Sequence, residues 1–139
     1  MADRLLFLLA RVQHRLTSHV NRELKEVGLT LSKGQIGVLV ALTERSEATM
    51  GQLRETLDID RAALTRVVDK LEDRGLVERR IGERDRRQVL IRHTAEGRKQ
   101  AAEVLRVVKA ANRQIQQGFT PEELDVFKRV NAAVLEKFP

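Results

Sequence analysis

The chain contains no cysteine, tryptophan or tyrosine, and its aromatic side chains are four phenylalanines among 139 residues. The lack of cysteine excludes disulfides, thiolate catalysis and cysteine-based redox or zinc sensing. The scarcity of aromatic rings argues against binding of single-stranded nucleic acid, which depends on rings that stack on bases. The apolar run at residues 5–10 is too short to span a bilayer and continues as an amphipathic helix without a signal-peptide cleavage site. We therefore expect a cytoplasmic protein that is not bound to a membrane.

Catalytic and metal-binding motifs are also missing. The sequence has no glycine-rich phosphate loop, nucleophile elbow or HExxH helix, and His14, His19 and His93 form no catalytic spacing. His19 and Glu23 are four residues apart and could share one helical face, but two ligands do not complete a metal site. We predict that the chain is not an enzyme, with no catalytic residue, no metal ion and no cofactor.

Positive charge is concentrated in one short segment. The formal net charge is +6, and residues 79–99 contain eight cations against three anions, a surplus of five. A concentration of this kind is typical of a surface that binds nucleic-acid phosphates, whereas the alternative is a solvated charged face.

Helix-start and helix-stop signals predict six helices. The first is long and amphipathic and ends at Gly28. The fourth covers residues 61–74, is capped by Asp60 and has an inward stripe of leucine and valine. The second, third and sixth helices each begin with a capping box, formed by Ser32 with Gln35, Thr49 with Gln52, and Thr120 with Glu123. Thr94 caps the fifth helix. Gly34 and Gly37 in the second helix indicate close packing against a neighbouring helix.

A basic hairpin is predicted directly after the fourth helix. Residues 76–81 and 88–92 have the composition of short strands, and they flank the arginine-rich loop at residues 82–87. A short helix, a tight turn, a second helix and a basic hairpin form, in that order, a winged helix-turn-helix. The second helix is narrow enough for the DNA major groove, and the hairpin can contact the backbone or minor groove. We therefore predict a mainly α fold with a small β-hairpin wing.

Three of the six predicted helices lie outside this block, one before it and two after it. Their long apolar stripes lack a local partner large enough to cover them, which favours a symmetric dimer built from both termini. We expect one domain over residues 1–139, with the DNA-binding region at 29–97 and dimerisation helices at 1–28 and 98–139. A monomeric bundle that covers its own stripes is the alternative.

Three segments resemble the MarR family of winged helix-turn-helix transcriptional regulators: residues 60–68, residues 71–79, and residues 85–87 followed by 94–97. The resemblance covers essentially the whole chain. It implies a homodimer on a pseudo-palindromic operator in double-stranded DNA. It also implies repression that a small molecule, commonly an anionic aromatic, relieves by binding between the dimerisation helices and the winged region.

The sequence departs from the family pattern at two positions. Many relatives carry leucine at the position of His93 and an aromatic residue at the position of Ile36, which often faces the ligand cavity. Ile36 therefore favours an aliphatic or acyl-bearing ligand, or none, over a stacked aromatic one. Arg11, His14 and Arg15 on the first helix are the polar groups best placed to meet an anionic effector, although they are equally ordinary as solvent-facing charges.

The predicted DNA contacts belong to the fourth helix and the wing. Arg61, Ala62, Thr65 and Arg66 are expected in the major groove, where arginine suits guanine edges and alanine or threonine meets the thymine methyl. Arg66 could instead pair with Asp85 or Asp69 and hold the wing. The resemblance assigns Arg87 to the minor groove, with Arg84 and Arg86 as phosphate partners; Asp85 either orients Arg87 or braces the wing against the recognition helix.

The predicted function is that of a sequence-specific DNA-binding regulator, a homodimeric repressor released by a small ligand. The alternative is an architectural or protein-contacting winged-helix protein with weak sequence preference.

Overall fold

The computed structural model describes residues 4–139, which form six helices and one three-stranded antiparallel sheet. Residues 1–3 of the predicted dimerisation segment 1–28 lie outside the described residues. The elements are α1 Leu5–Glu26, α2 Lys33–Glu44, β1 Glu47–Thr49, α3 Met50–Leu57, α4 Arg61–Asp73, β2 Val77–Ile81, β3 Val89–His93, α5 Ala95–Gln116 and α6 Pro121–Lys137. The chain divides into two compact units, Met1–Val108 and Lys109–Pro139. Within the described residues, no helix is both long and apolar enough to cross a membrane.

The predicted helix starts are confirmed by their hydrogen bonds. At α2 the Gln35 backbone N–H donates to Ser32 Oγ at 3.2 Å, and the Ser32 N–H donates to Gln35 Oε1 at 2.8 Å. The same reciprocal pattern begins α3 and α6. At α4 the Ala63 N–H donates to Asp60 Oδ1 at 2.8 Å. Each cap accepts hydrogen bonds from backbone N–H groups that have no acceptor within the helix. Because the capping residues are close in the sequence, the helix starts can be predicted from the sequence.

The core of the first unit lies where α2, α3 and α4 pack together. Its fully buried side chains include Leu24, Leu39, Leu42, Leu53, Leu64, Val68, Leu71, Ile91 and Val104. A Cβ atom added to Gly34 would lie 2.7 Å from Val67 Cγ2, and one added to Gly37 would lie 2.9 Å from Leu57 Cδ2. The predicted close packing of α2 is thus confirmed, because a side chain at either glycine would force the side chain of Val67 or Leu57 to move.

The predicted β-hairpin is confirmed as β2 and β3, and the sheet has a third strand, β1, that the sequence analysis does not predict. β1 pairs with β3, with Ala48 opposite Ile91, so that β3 is the central strand. β2 pairs with the other edge of β3, from Val77 opposite His93 to Ile81 opposite Val89. β1 is three residues long and merges with the start of α3, so its sequence carries no alternation of its own; it is a strand because β3 offers it an edge.

The start of α5 is tied to the end of α4. The Thr94 N–H donates to the Leu76 carbonyl at 3.1 Å, and Thr94 Oγ1 donates to the Gly75 carbonyl at 2.5 Å. Thr94 Oγ1 also accepts from the Gly97 N–H at 3.0 Å, as expected for a cap. A Cβ atom at Gly97 would lie 1.7 Å from the Leu76 carbonyl oxygen, so the junction requires glycine. These contacts connect the segment that follows α4, Gly75 and Leu76, directly to the start of α5.

Candidate nucleic-acid interface

The α4 helix has one buried face and one exposed polar face at its N-terminal end. Leu64, Val68 and Leu71 are fully buried. The four predicted base-reading residues, Arg61, Ala62, Thr65 and Arg66, are all exposed. Thr65 Oγ1 donates to the Arg61 carbonyl at 2.9 Å, which occupies the hydroxyl hydrogen within the helix. The exposed face therefore offers two guanidinium groups and two methyl groups.

The wing loop, residues 82–87, is a tight backbone turn between β2 and β3. The Gly82 N–H donates to the Gln88 carbonyl at 2.9 Å, and the Gln88 N–H donates to the Asp85 carbonyl at 3.1 Å. A Cβ atom at Gly82 would lie 2.6 Å from the Asp85 carbonyl oxygen, so only glycine fits without a shift of the loop. This turn places Arg84, Arg86 and Arg87 at the exposed tip of the hairpin.

Asp85 contacts Arg87 within the wing loop. Its Oδ1 atom accepts from the Arg87 backbone N–H at 3.0 Å and from the Arg87 Nε at 3.3 Å. The Arg87 side chain is nevertheless 92% exposed. Of the two roles weighed for Asp85, this geometry is that of orienting Arg87, and no ion pair of the described residues joins Asp85 to α4.

Arg79 links the wing to α4, a role that the sequence analysis missed. Its guanidinium, on β2, pairs with Asp69 at 2.5 Å and with Glu72 at 2.9 Å, both on α4. Burial opposes the charge of Arg79, but hydrogen bonding to Asp69 and the negative charge of Glu72 outweigh it and raise the pKa of Arg79. The acceptors proposed for Arg66 are thus used by Arg79 and Arg87, and among residues 4–139 Arg66 forms no ion pair.

His93 is buried at the end of β3, and its ring contacts the backbone of α2. The Nε2 atom lies 2.9 Å from the Leu39 carbonyl oxygen, so a neutral ring protonated at Nε2 donates to it. Burial of the ring lowers the pKa of His93, the Leu39 carbonyl opposes the shift, and the charge of Arg98 adds to it. This contact gives the buried ring N–H of His93 a hydrogen-bond partner, which explains how the chain accommodates a polar side chain at this buried position.

The residues considered for an effector lie on α1 and α2. Arg11, His14 and Arg15 are exposed on α1, and Ile36 is half-buried in α2, where it packs against the core. Their ligand role stays a prediction. Within residues 4–139, no three histidine, aspartate or glutamate side chains are grouped so that they could hold a metal ion.

Two helices joined by a tight turn, followed by a strand pair with an arginine-rich tip, define a winged helix-turn-helix protein. The chain belongs to the MarR family. The sequence model of that family matches residues 27–88. An uncharacterized HTH-type transcriptional regulator, YdgJ of Bacillus subtilis strain 168, is 35% identical over 68 residues, which are 49% of this chain and 42% of YdgJ. This chain thus spans less than half of that relative.

Solved structures are similar over almost the whole chain. CouR from Rhodococcus jostii RHA1, in complex with p-coumaroyl-CoA, is 30% identical with a TM-score of 0.84, over 99% of this chain and 94% of CouR. Wild-type MarR from E. coli in its apo form is 26% identical with a TM-score of 0.69, over 95% of this chain and 97% of MarR. The family consists of transcriptional regulators rather than enzymes, which confirms the prediction that this chain is not an enzyme.

Proposed function

We propose that the protein is a homodimeric repressor that binds a pseudo-palindromic operator in double-stranded DNA and is released by a small-molecule effector. The observation that carries this proposal is the exposed pair formed by the polar face of α4 and the arginine tip of the wing. A helix face that carries Arg61, Ala62, Thr65 and Arg66 fits the major groove, and the tip fits phosphates or a narrow minor groove.

Each DNA contact follows from exposure and charge. Arg61 stands at the first turn of α4 and is proposed to donate to a guanine edge, with Arg66 one turn further along. Arg87, held by Asp85, is proposed to enter the minor groove, and Arg84 and Arg86 to contact phosphates. The surplus of positive charge in residues 79–99 supplies affinity, while α4 supplies base discrimination.

Dimerisation is proposed from the apolar surface that each unit exposes. In α1, the large side chains from Leu5 to Leu9 are between 43% and 75% exposed. In the second unit, Phe127, Leu135 and Phe138 are between 56% and 77% exposed. Apolar surface of this extent marks an interaction site, and a second copy of the chain is the partner that two half-sites require. Residues 1–28 and 98–139 are the proposed dimerisation segments, and residues 29–97 the DNA-binding region.

The proposed effector is a small anionic or acyl-bearing molecule. CouR was solved with p-coumaroyl-CoA, an acyl thioester that carries phosphates, and its fold covers this chain almost completely. Arg11, His14 and Arg15 are exposed cations or titratable groups on α1, and Ile36 offers an aliphatic contact on α2. A regulator of this kind acts in the cytoplasm, where its operator is.

Selection from random double-stranded DNA, followed by titration of the selected site, tests the proposal. We expect an inverted repeat bound about 1,000-fold more tightly than unrelated DNA. In solution, we expect a particle of twice the 15.8 kDa chain mass. Equal affinity for all duplexes would support the architectural alternative, and a monomer at micromolar concentration would contradict the dimer.

A further inference from the structure

One face of the wing carries a row of three cross-strand pairs. Side chains alternate between the two faces of a strand, and residues that are directly opposite each other in a ladder share a face. The row consists of Val77 with His93, Arg79 with Ile91, and Ile81 with Val89. Because Val77, Ile91 and His93 are buried, this is the inner face of the sheet, the one that is turned toward the core.

The inner face is covered along only part of its length. The first two pairs are covered by the core and by the contacts of Arg79 with α4. In the third pair, Ile81 is 67% exposed and Val89 is 42% exposed. An antiparallel strand advances about 3.4 Å per residue, so this pair lies roughly 7 Å beyond Arg79 along the wing. The inner face therefore ends in two apolar side chains that the described residues leave exposed.

Positive charge adjoins this apolar pair. The wing loop, residues 82–87, begins directly after Ile81 and ends two residues before Val89, and its three arginines are exposed at the tip. The two carboxylates of the loop, on Glu83 and Asp85, are each paired with an arginine. A polyanion that is attracted to the tip therefore meets the apolar pair as well.

The DNA backbone has an apolar component in addition to its charge. Each nucleotide carries a phosphate, which suits arginine, and a deoxyribose, whose C–H groups line the edge of the minor groove. The side chains of isoleucine and valine have no hydrogen-bonding group, so phosphate oxygens do not favour them. Their contact with sugar C–H groups removes apolar surface from water on both sides. An apolar pair beside an arginine tip thus matches the sugar of a nucleotide whose phosphate lies close to the arginines.

We propose that Ile81 and Val89 pack against deoxyribose C–H groups at the edge of the minor groove, next to the phosphates that the arginine tip contacts. This inference rests on the proposed function and extends it, because it assigns to the wing a contact that is not electrostatic. An uncharged contact releases no counterions, so the affinity that it provides persists at high salt. The wing then supplies a salt-independent part of the affinity as well as a salt-dependent one.

Salt titrations of the selected operator test this contact. Ile81→Thr and Val89→Thr keep a β-branched side chain in the strand but replace apolar surface with a hydroxyl group. Each should weaken binding about fourfold or more at every salt concentration, the fold-change that one buried methyl group provides. Because no charge is removed, the salt slope should fall by less than the value of about 0.9 expected for one lost phosphate contact.

Leu90→Thr is the matched control. Leu90 is next to Val89 on β3, so its side chain lies on the opposite face of the sheet. This variant should bind the operator as wild type does. Circular dichroism of each variant shows whether it is folded.

Hydroxyl-radical cleavage of the bound operator locates the contact, because the radical attacks deoxyribose C–H groups. We expect wild type and Leu90→Thr to protect the same sugars in each half-site. The double variant with Ile81→Thr and Val89→Thr should leave part of these sugars open to cleavage. A sugar pattern identical to that of wild type in the double variant would contradict the contact.

Wild-type affinity in both Ile81→Thr and Val89→Thr, or an equal loss in Leu90→Thr, would also overturn the proposal. A changed particle mass of the two variants without DNA would assign the pair to a contact between copies of the chain and would overturn it as well. Failure of wild type to bind any duplex would overturn the proposed function together with this contact. Binding by wild type with unaltered variants would overturn the contact alone, so the two failures are distinguishable.

Discussion

The guanidinium of Arg79, on the first strand of the wing, pairs with the carboxylate of Asp69, on the recognition helix α4, at 2.5 Å. Glu72, one turn further along α4, holds the same guanidinium at 2.9 Å. The Arg79 side chain is 29% exposed, so the pair is partly shielded from solvent. This pair of contacts joins the wing to α4, and it therefore helps to set the position of the arginine tip relative to the α4 face that we propose for the major groove.

Arg79→Gln is expected to weaken operator binding with only a small change in its salt dependence. Arg79 faces α4 carboxylates rather than phosphates, so its loss loosens the wing while Arg84 and Arg86 keep their charges. The slope of log Kd against log salt should therefore fall by less than the value of about 0.9 expected for one lost phosphate contact. The free energy of unfolding should fall by only about 0.5–1 kcal/mol, because Asp69 is half exposed. Titrations at four salt concentrations and urea denaturation measure both effects. A slope reduced by one unit would show that Arg79 contacts phosphate instead.

Arg87→Ala is expected to lower both the operator affinity and the salt slope. Its side chain is 92% exposed at the wing tip, where it can neutralise phosphate charge. Each phosphate contact that is lost should reduce the slope by about 0.9. Arg106→Ala, a change on the exposed side of α5, is the control and should leave the slope unchanged. Identical salt titrations of Arg87→Ala and wild type would remove Arg87 from the interface.

Arg61→Ala is expected to relax base preference at one position of each half-site, at a cost of about 1–3 kcal/mol. Arg61 is exposed in the first turn of α4, where a bidentate contact with guanine is possible. Selection from random DNA with the variant and with wild type gives the comparison. Recovery of an unchanged motif would rule out direct readout by Arg61.

Thr65 is expected to read thymine through its methyl group, because its hydroxyl already donates to the Arg61 carbonyl. Thr65→Val keeps a methyl group and should retain the preference, whereas Thr65→Ser should lose about 0.8 kcal/mol of discrimination, the value of one buried methyl group. Replacement of that thymine by uracil should cost wild type the same amount and leave Thr65→Ser unaffected. Loss of the preference in Thr65→Val together with its retention in Thr65→Ser would instead indicate readout by the hydroxyl group.

Local signals made much of this fold predictable. The capping residues Ser32, Thr49 and Thr120 act on N–H groups within three residues, so their sequence neighbours alone define the helix starts. β1 was not predicted, because Ala48 is in a strand only through pairing with Ile91, which is distant in the sequence. The contacts of Arg79 with α4 were missed for the same reason, since the distance between β2 and α4 depends on tertiary packing.

The free energy of unfolding should fall as the pH is lowered from 7.5 to 5, and His93 should contribute to the fall. Its folded-state pKa is lowered, so the unfolded chain binds the proton first, and stability present above the ordinary histidine pKa is lost as the pH falls below it. The loss is about 1.4 kcal/mol per unit of pKa difference. His93→Leu should flatten this dependence. Parallel curves for wild type and His93→Leu would contradict this role.

Gly97→Ala is expected to destabilise the fold by about 1–3 kcal/mol, because its Cβ would overlap the Leu76 carbonyl oxygen and force α5 away from the wing. Gly51→Ala is the matched control. Its nearest neighbour, Thr49 Oγ1, is 3.8 Å from the added Cβ, and alanine in α3 should stabilise by about 0.5–1 kcal/mol. Urea denaturation of both variants gives the comparison, and a neutral Gly97→Ala would show that the junction can relax.

Insertion of five base pairs between the two half-sites of the selected operator gives the most direct test of the proposed dimer. It tests whether the α4 helices of the two copies are held at a fixed spacing. Half a helical turn moves the second half-site to the opposite face of the duplex, where the second recognition helix cannot reach it. We predict that affinity falls by about 1,000-fold, to the level of unrelated DNA, and that insertion of ten base pairs restores part of it. Unchanged affinity after the five-base-pair insertion would contradict a rigid dimer whose two winged helix-turn-helix regions bind the two half-sites together.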